Sequence, residues 1–470
     1  MSTDLAYRTI RDLQRAFSRR ELSPVELLDD VIARYERLEP RLNMFVHVDF
    51  ETARQQAKAA EQRAMRNEML GPIDGIPTAI KDLIAAKGMP QRSGSKASSA
   101  ELVNVDAPSS ARLRASGAVI LGKSTTSEFG CKPVGDSPLS GVTRNPWNPQ
   151  LTPGGSSAGA AAMVAAGLVP YSIGTDGGGS VRIPSALTGL FGIKAHFGRV
   201  GVYPVSATPT LAHVGPLART VEDAAIALSV IGGVDKRDPF TIVATQPDYV
   251  ESMRRQRTLK IAWSPTLGYG RVDPEVAHIV AKAVDRIVEL GYEVDLVETV
   301  MDDPIGLWMA EFYAGVGTRL RDTIESNPEL IDPSVLAVLE PALAQSMRDY
   351  YETVFQRYAF RDRMRQFFDR YDILLTPTLP VAAFPTGQDK PVGYEDKTIV
   401  SWATFTYPFN LTGQPAASMP AGFTKDGRPV GLQAVAPVYE ELSIFSLAAA
   451  YSDASRDVWS RRPDMAETAA

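Results

Sequence analysis

Apolar residues change their spacing several times along this chain, and each change marks a different kind of element. Leu27, Leu28, Val31, Ile32 and Tyr35 recur at the helical period. Ser23-Pro24-Val25-Glu26 is a start signal for that helix: Ser23 can cap, Pro24 takes the first helical position, and Glu26 can reach back to the cap. A second helix is expected from about Phe50 to Met65, a stretch rich in Ala, Gln, Glu and Arg. Residues 1–68 therefore read as a helical segment. From Gly71 to about Gly233, short β-prone runs such as Val119-Ile120-Leu121 and Tyr171-Ser172-Ile173 alternate with glycine-rich turns and helix-forming stretches, which predicts an α/β core. Residues 259–297 repeat the theme, with Leu259 to Trp263 as strand, Asp273-Pro274 opening a helix and Tyr292 to Leu296 as strand. Residues 304–370 read as helical, and Tyr371 to Leu375 as a buried strand. There is no internal repeat. Seams are expected near 66–70 and 235–258, giving a helical segment 1–68 and an α/β unit 69–470 with an internal seam, or one compact unit.

Composition narrows the class. At 470 residues, 44% hydrophobic and 22% charged, the chain has the mix of a soluble globular protein, with disorder expected only at the last few residues. Lys and Arg number 49 against 55 Asp and Glu, a net charge of −6 that argues against a nucleic-acid partner. The single cysteine, Cys131, rules out an intrachain disulfide and a thiolate metal cluster and suits a reducing cytosol. Residues 1–20 are interrupted by Asp4, Arg8, Arg11 and Asp12, so no signal peptide is expected. The longest apolar stretch, Ala158 to Pro170, is about a dozen residues, short of the roughly 20 that span a bilayer. Its Ala and Gly content predicts a tightly packed helix. A cytoplasmic protein without a membrane span is expected, its oligomeric state open.

Candidate chemistry concentrates between Pro153 and Val200. Gly154-Gly155-Ser156-Ser157-Ala158-Gly159 precedes the Ala-rich helix, and Gly174-Thr175-Asp176-Gly177-Gly178-Gly179-Ser180-Val181-Arg182 follows it. Three glycines before a serine let successive N–H groups point at one spot, as an oxyanion requires. The same composition also makes plain loops and phosphate cradles. Gly155 to Gly159 further matches the G-x-S-x-G elbow, with Ser157 as nucleophile. That elbow needs a later carboxylate and then a histidine. The only histidines are His47, His196, His213 and His278, and none lies late in the chain. No two of them make a local metal-ligand pair either.

A serine without a histidine needs another base, and Lys81 at the end of the apolar run Ile76 to Ile80 is the candidate. Burial disfavours its charged form, and a neutral amine can accept a proton. The plainer alternative is a lysine paired with Asp82 at a strand end.

Taken together, these segments resemble the amidase-signature family over most of the chain. Matching pieces are Gly71 to Pro77 before the lysine, Asn145-Pro146-Trp147-Asn148, Gly192-Ile193-Lys194, Leu375-Thr376-Pro377-Thr378, Asn410 to Pro415, and Pro429 to Gln433. The resemblance implies an α/β/α sandwich with a central mixed sheet flanked by helices. It implies a serine amidohydrolase without metal or cofactor, with Lys81 as base, Ser156 as bridging serine behind a cis peptide bond, and Ser180 as nucleophile. By the same resemblance the N–H groups of Gly177, Gly178, Gly179 and Ser180 would form the oxyanion hole, with Ser157, Asp176 and Arg182 as structural support. Two departures stand out: the family commonly carries a larger residue at the position of Gly177, and Gly at that of Ala158.

The resemblance also covers the glutaminase subunit of tRNA-dependent amidotransferases, which is the alternative reading. That subunit carries an acidic residue where this chain has Ala403, and a basic one within the segment that here reads Ser334 to Pro341 without a cation. A stand-alone hydrolase of neutral, partly apolar amides is therefore preferred, with esters and carbamates (a urethanase activity) chemically reachable. Phe129, Cys131, Trp308, Phe312, Trp402 and Phe405 are the candidate pocket residues.

Overall fold

A computed structural model describes residues 5–243, 245–255 and 257–465. The terminal residues expected to be disordered, 466–470, lie outside the described residues.

Eleven strands form one mixed sheet. In chain order, β1 is Phe45–Val48, β2 Pro77–Lys81 and β3 Val119–Ser124. A small separate hairpin contributes β4 (Asp136–Ser137) and β5 (Gly141–Val142). Then follow β6 (Tyr171–Asp176), β7 (Phe191–Lys194), β8 (His213–Ala218), β9 (Lys260–Trp263), β10 (Glu293–Leu296), β11 (Ile373–Pro377), β12 (Ala416–Phe423) and β13 (Pro429–Val435). The spatial order is β1-β3-β2-β6-β8-β7-β12-β13-β11-β9-β10, with helices flanking the sheet. The central strands are buried along their whole length, so they read as continuous apolar runs. Strands β3, β2 and β6 run parallel, Ile80 standing opposite Ile173. Their C-terminal ends therefore share one edge of the sheet. That edge carries Lys81 at the end of β2 and Asp176 at the end of β6.

The helical period is honoured where it is strongest. The helix Pro24–Leu42 starts with a capping box on Ser23 and Glu26, and Phe50–Arg66 follows it. Between them β1, only four residues long, pairs antiparallel with β3, a strand hidden inside a region that reads as helical throughout. Residues 304–370 fold as helices Ile305–Arg319, Arg321–Ser326, Pro333–Leu343 and Met347–Phe368. Among the described residues no helix is long and apolar enough to cross a membrane.

The Ala-rich stretch forms the helix Ala158–Ala165, every residue of which is buried. It packs against β2, β3, β6 and β8. Small side chains let the helix backbone approach the strands. At Gly159 a Cβ would stand 2.7 Å from Thr125 N and press on the Met44 carbonyl oxygen. Gly159→Ala is expected to lower stability by ~1–3 kcal/mol, the usual range for overpacking a filled core, read as a lower midpoint in thermal or urea unfolding. An unchanged midpoint would mean that the helix can retreat from the sheet.

Candidate active site

Lys81 is completely buried, and its side-chain nitrogen is surrounded by hydroxyls. Nζ lies 2.6 Å from Ser156 Oγ, 2.9 Å from Ser157 Oγ and 2.8 Å from Thr175 Oγ1. The local alternative fails: Asp82 turns away to the buried Lys123, 3.7 Å distant, and accepts from the Arg92 and Gly94 N–H groups. Among the described residues no carboxylate makes an ion pair with Lys81. Burial accordingly pushes its pKa well below the ordinary 10.5, and the nearby Asp176 carboxylate opposes this only in part. Each hydroxyl can donate as well as accept, so the same cage suits either protonation state of the amine.

Ser156 is held from both sides. The Gly155–Ser156 peptide is cis. The preceding loop is organised by Asn145, whose amide donates to the Thr152 and Leu187 carbonyls, and by Thr152 Oγ1, which accepts from Gly135 and Gly154 N–H. Ser157 N–H donates to the Ser180 carbonyl at 3.3 Å and ties the two serine segments together. Ser156 and Ser180 line one cavity, with no direct hydrogen bond between their hydroxyls among the described residues.

The glycine loop is anchored by a buried ion pair. Arg182 Nη2 meets Asp176 Oδ1 at 2.9 Å and Arg182 Nε meets Oδ2 at 3.0 Å, both side chains fully shielded from solvent. Arg182 also donates to Asn410 Oδ1, Gln433 Oε1 and the Thr406 carbonyl. Burial alone raises the Asp176 carboxyl, but Arg182, with help from Lys194 and Asn410, holds it well below the usual carboxylate range. The Asp176 carboxylate accepts in turn from Gly179 N–H at 2.8 Å and Val181 N–H at 3.2 Å. This corrects one expectation: Gly179 N–H is taken up by Asp176 and does not face a reacting group. The N–H groups of Gly177, Gly178 and Ser180 have no acceptor among the described residues.

His213 also reaches the cavity wall. Its Nδ1 faces two carbonyl oxygens, Leu211 at 2.8 Å and Asp176 at 3.2 Å, so Nδ1 carries the proton. Nε2 faces Lys194 Nζ at 3.4 Å. Burial, reinforced by Lys194, pushes its pKa well down. Its ring nitrogens are thus engaged in the wall.

The cavity, about 470 Å³, is mainly apolar, with Leu83, Ile84, Phe129, Val202, Val316 and Leu320 on its walls and Arg319 as the one ordinary cation among the described residues. Of the six aromatic and sulfur candidates only Phe129 and Phe312 line it. Cys131, Trp308, Trp402 and Phe405 do not. Trp402 is sealed in a separate cluster with Ile183, Leu187 and Phe384 and donates its indole N–H to the Asp389 and Ile399 carbonyls. Phe405 is fully buried beneath Gly270. Cys131 is buried, with its thiol pushed up by burial and its carbonyl accepting from Tyr313. Trp308 lies behind the glycine loop, its indole N–H 2.8 Å from the Gly177 carbonyl. Sequence reading missed Thr175 and the wall from Gly201 to Thr208. Leu83 and Ile84 did carry a signal, since they lie two and three residues after Lys81.

With this geometry in hand, comparisons with known proteins agree on its kinship. The family model described as Amidase matches residues 26–445. The chain is 35% identical over 445 residues to an acylamidase of Rhodococcus erythropolis, covering 92% of each protein. It is 34% identical over 492 residues to a glutamyl-tRNA(Gln) amidotransferase subunit of Chloroflexus aggregans, covering 99% of each. A bacterial aryl acylamidase of the amidase signature enzymes superposes with a TM-score of 0.89 at 28% identity, over 97% of this chain and 98% of that one.

Removing the cation beneath the glycine loop tests how far the site depends on it. Arg182→Met leaves Asp176 buried without its partner, and loss of one member of a buried pair costs ~3–5 kcal/mol. Unfolding experiments should show a destabilisation of that order, together with loss of turnover in whatever folded fraction remains. Wild-type stability in this variant would mean that Lys194 and Asn410 can neutralise Asp176 unaided.

Proposed function

The chain belongs to the Amidase family, and we propose that Ser180 is its nucleophile, Ser156 its proton shuttle and Lys81 its base. It is a serine amidohydrolase that cleaves carboxamide C–N bonds. The observation that carries the assignment of roles is Lys81 Nζ, buried without a carboxylate partner among the described residues and 2.6 Å from Ser156 Oγ. Neutral Lys81 accepts the Ser156 proton while Ser156 takes that of Ser180, whose Oγ adds to the substrate carbonyl. Negative charge then gathers on the carbonyl oxygen, toward which the Gly177, Gly178 and Ser180 N–H groups are free to donate. The proton returns through Ser156 to the leaving nitrogen, the C–N bond breaks, and the amine departs. Water repeats the sequence on the acyl-enzyme, releasing the acid and restoring Ser180.

The substrate reading rests on the cavity. Its walls are mainly apolar and, among the described residues, include no carboxylate to receive the ammonium of a free amino acid. Ala403, where the glutaminase subunit carries an acid, is buried with Trp402 and Leu379. Both features support neutral aryl or alkyl amides. Esters and carbamates present the same carbonyl to the same groups and fall within reach. The relatives named as amidotransferase subunits favour the second reading, a chain that works only with partner chains. Assay of the purified chain alone on aryl amides and on glutamine separates the two. Turnover of aryl amides alone supports the hydrolase; activity on glutamine that appears only with partner subunits supports the other.

A phosphonyl fluoride should label one serine, located at Ser180 by mass spectrometry, and Ser180→Ala should abolish both labelling and turnover in a folded protein. A label on another serine would end the nucleophile assignment.

The lowered pKa of Lys81 sets two pH dependences of known sign. The rate requires the neutral amine, so kcat/KM should rise with pH through the lowered pKa and level off well short of 10.5. The unfolded chain keeps the Lys81 proton up to its ordinary pKa, whereas the folded chain releases it earlier. Burial of this lysine thus penalises folding below the lowered pKa, and the penalty fades as pH rises toward 10.5. Relative to Lys81→Met, which should be inactive, wild-type stability is expected to gain with rising pH. A rate flat from acid to alkaline pH on a substrate with rate-limiting chemistry would count against Lys81 as base.

A further inference from the structure

Four successive carbonyl groups of the glycine loop are each held by a named donor. The Asp176 carbonyl accepts from Asn410 Nδ2 at 2.9 Å, and that of Gly177 from Trp308 Nε1 at 2.8 Å. The Gly178 carbonyl accepts from Thr406 Oγ1 at 2.6 Å, and that of Gly179 from Ile183 N–H at 2.7 Å. In a trans peptide the N–H points opposite the carbonyl. Fixing these carbonyls therefore aims the N–H groups of Gly177, Gly178, Gly179 and Ser180. Gly179 N–H goes to Asp176, and the other three remain without acceptors among the described residues.

Trp308 differs from the other donors in that its N–H belongs to an aromatic ring. It comes from the helix Ile305–Arg319 and stacks on Phe312 with ring centroids 4.4 Å apart and planes 19° apart. The stack occupies the space that side chains on the loop would need. A Cβ on Gly177 would stand 2.8 Å from Phe312 Cε2, and one on Gly178 would stand 2.6 Å from Trp308 Cζ2. Gly177 thus leaves room for an aromatic ring that also lines the cavity beside Ser180.

We infer that Trp308 is a positioning residue for the oxyanion hole, fixing the Gly177–Gly178 peptide through its indole N–H so that Gly178 N–H faces the reacting carbonyl, with Phe312 bracing the loop in place of a side chain at residue 177. The inference rests on Ser180 as nucleophile. Its effect is confined to states that carry negative charge on the former carbonyl oxygen. Ground-state amide binding depends on the apolar walls and should be little affected.

The test compares Trp308→Phe, which keeps an aromatic ring and removes the donor, with wild type on one aryl amide and on a trifluoromethyl ketone analogue of it. The ketone captures the nucleophile as a tetrahedral alkoxide and so reports on oxyanion binding. Removing a direct oxyanion donor costs about 10²–10³ in kcat, and a donor that is only loosened should cost about tenfold. The expected result is kcat about tenfold lower, KM nearly unchanged, and ketone affinity weakened by the same factor as kcat/KM. A folded Trp308→Phe with wild-type kcat and ketone affinity overturns the inference, as does a loss confined to KM. Should that variant not fold, benzothienylalanine at position 308 serves instead, since it keeps the bicyclic ring and lacks only the N–H; it should show the same losses, and wild-type kcat and ketone affinity in it also overturn the inference. Ser180→Ala keeps the two levels apart, because ketone binding that survives in that variant indicts the nucleophile assignment and leaves Trp308 unblamed.

Discussion

The Asp176–Arg182 ion pair is the interaction on which the site is built. Both side chains are fully buried, and a pair in such a place is tolerable only because every remaining valence is met. Asn410 bridges Asp176 and Arg182, Gln433 accepts a further guanidinium N–H, and the loop's own Gly179 and Val181 N–H groups complete the carboxylate. Asn410 and Gln433 both lie more than two hundred residues from Arg182 in the chain. Through them the glycine loop, the Thr404–Asn410 turn region and β13 are locked in one arrangement. The loop N–H groups left over are free because the pair and its neighbours have claimed everything else.

The second constraint is electrostatic isolation of Lys81. Its sequence neighbour Asp82 would normally pair with it, which would keep the amine charged. Strand geometry prevents this: successive residues at a strand end point to opposite sides, and Asp82 finds Lys123 on β3 instead. Lys123 is itself brought down to about 8 by burial, against the pull of Asp82. Lys81 is left with three hydroxyls and no counter-ion within bridging distance among the described residues. An uncharged amine beside a serine is the outcome, and the stability lost in burying it is what a base without histidine requires.

Aromatic residues near the loop divide into two groups with different work. Phe129 and Phe312 face the cavity, whereas Trp308 holds the glycine loop from behind, and Trp402 and Phe405 fill core away from the cavity. The Trp308–Phe312 stack does both at once: one ring touches the loop carbonyl and the other touches the space where substrate would lie. A wall that supports the oxyanion loop and also shapes the pocket links substrate fit to carbonyl activation more directly than two separate walls would.

Local patterns in the sequence determined the strong helices, the buried strand runs and the glycine-serine segments, because capping, period and glycine content act over a few residues and need no distant partner. Ser23 to Glu26, the Ala-rich run from residue 158 and Tyr171 to Ile173 all lie where those rules put them. What tertiary structure alone decided was partnership. Strand β1 exists because β3 offers it an edge, Asp82 pairs with Lys123 rather than Lys81, and Gly179 N–H turns to Asp176. Which aromatic rings reach the cavity was settled in the same way. Whether an aromatic side chain lines a cavity or fills a core depends on which element is packed behind it, and that is a property of contacts between residues far apart in the chain.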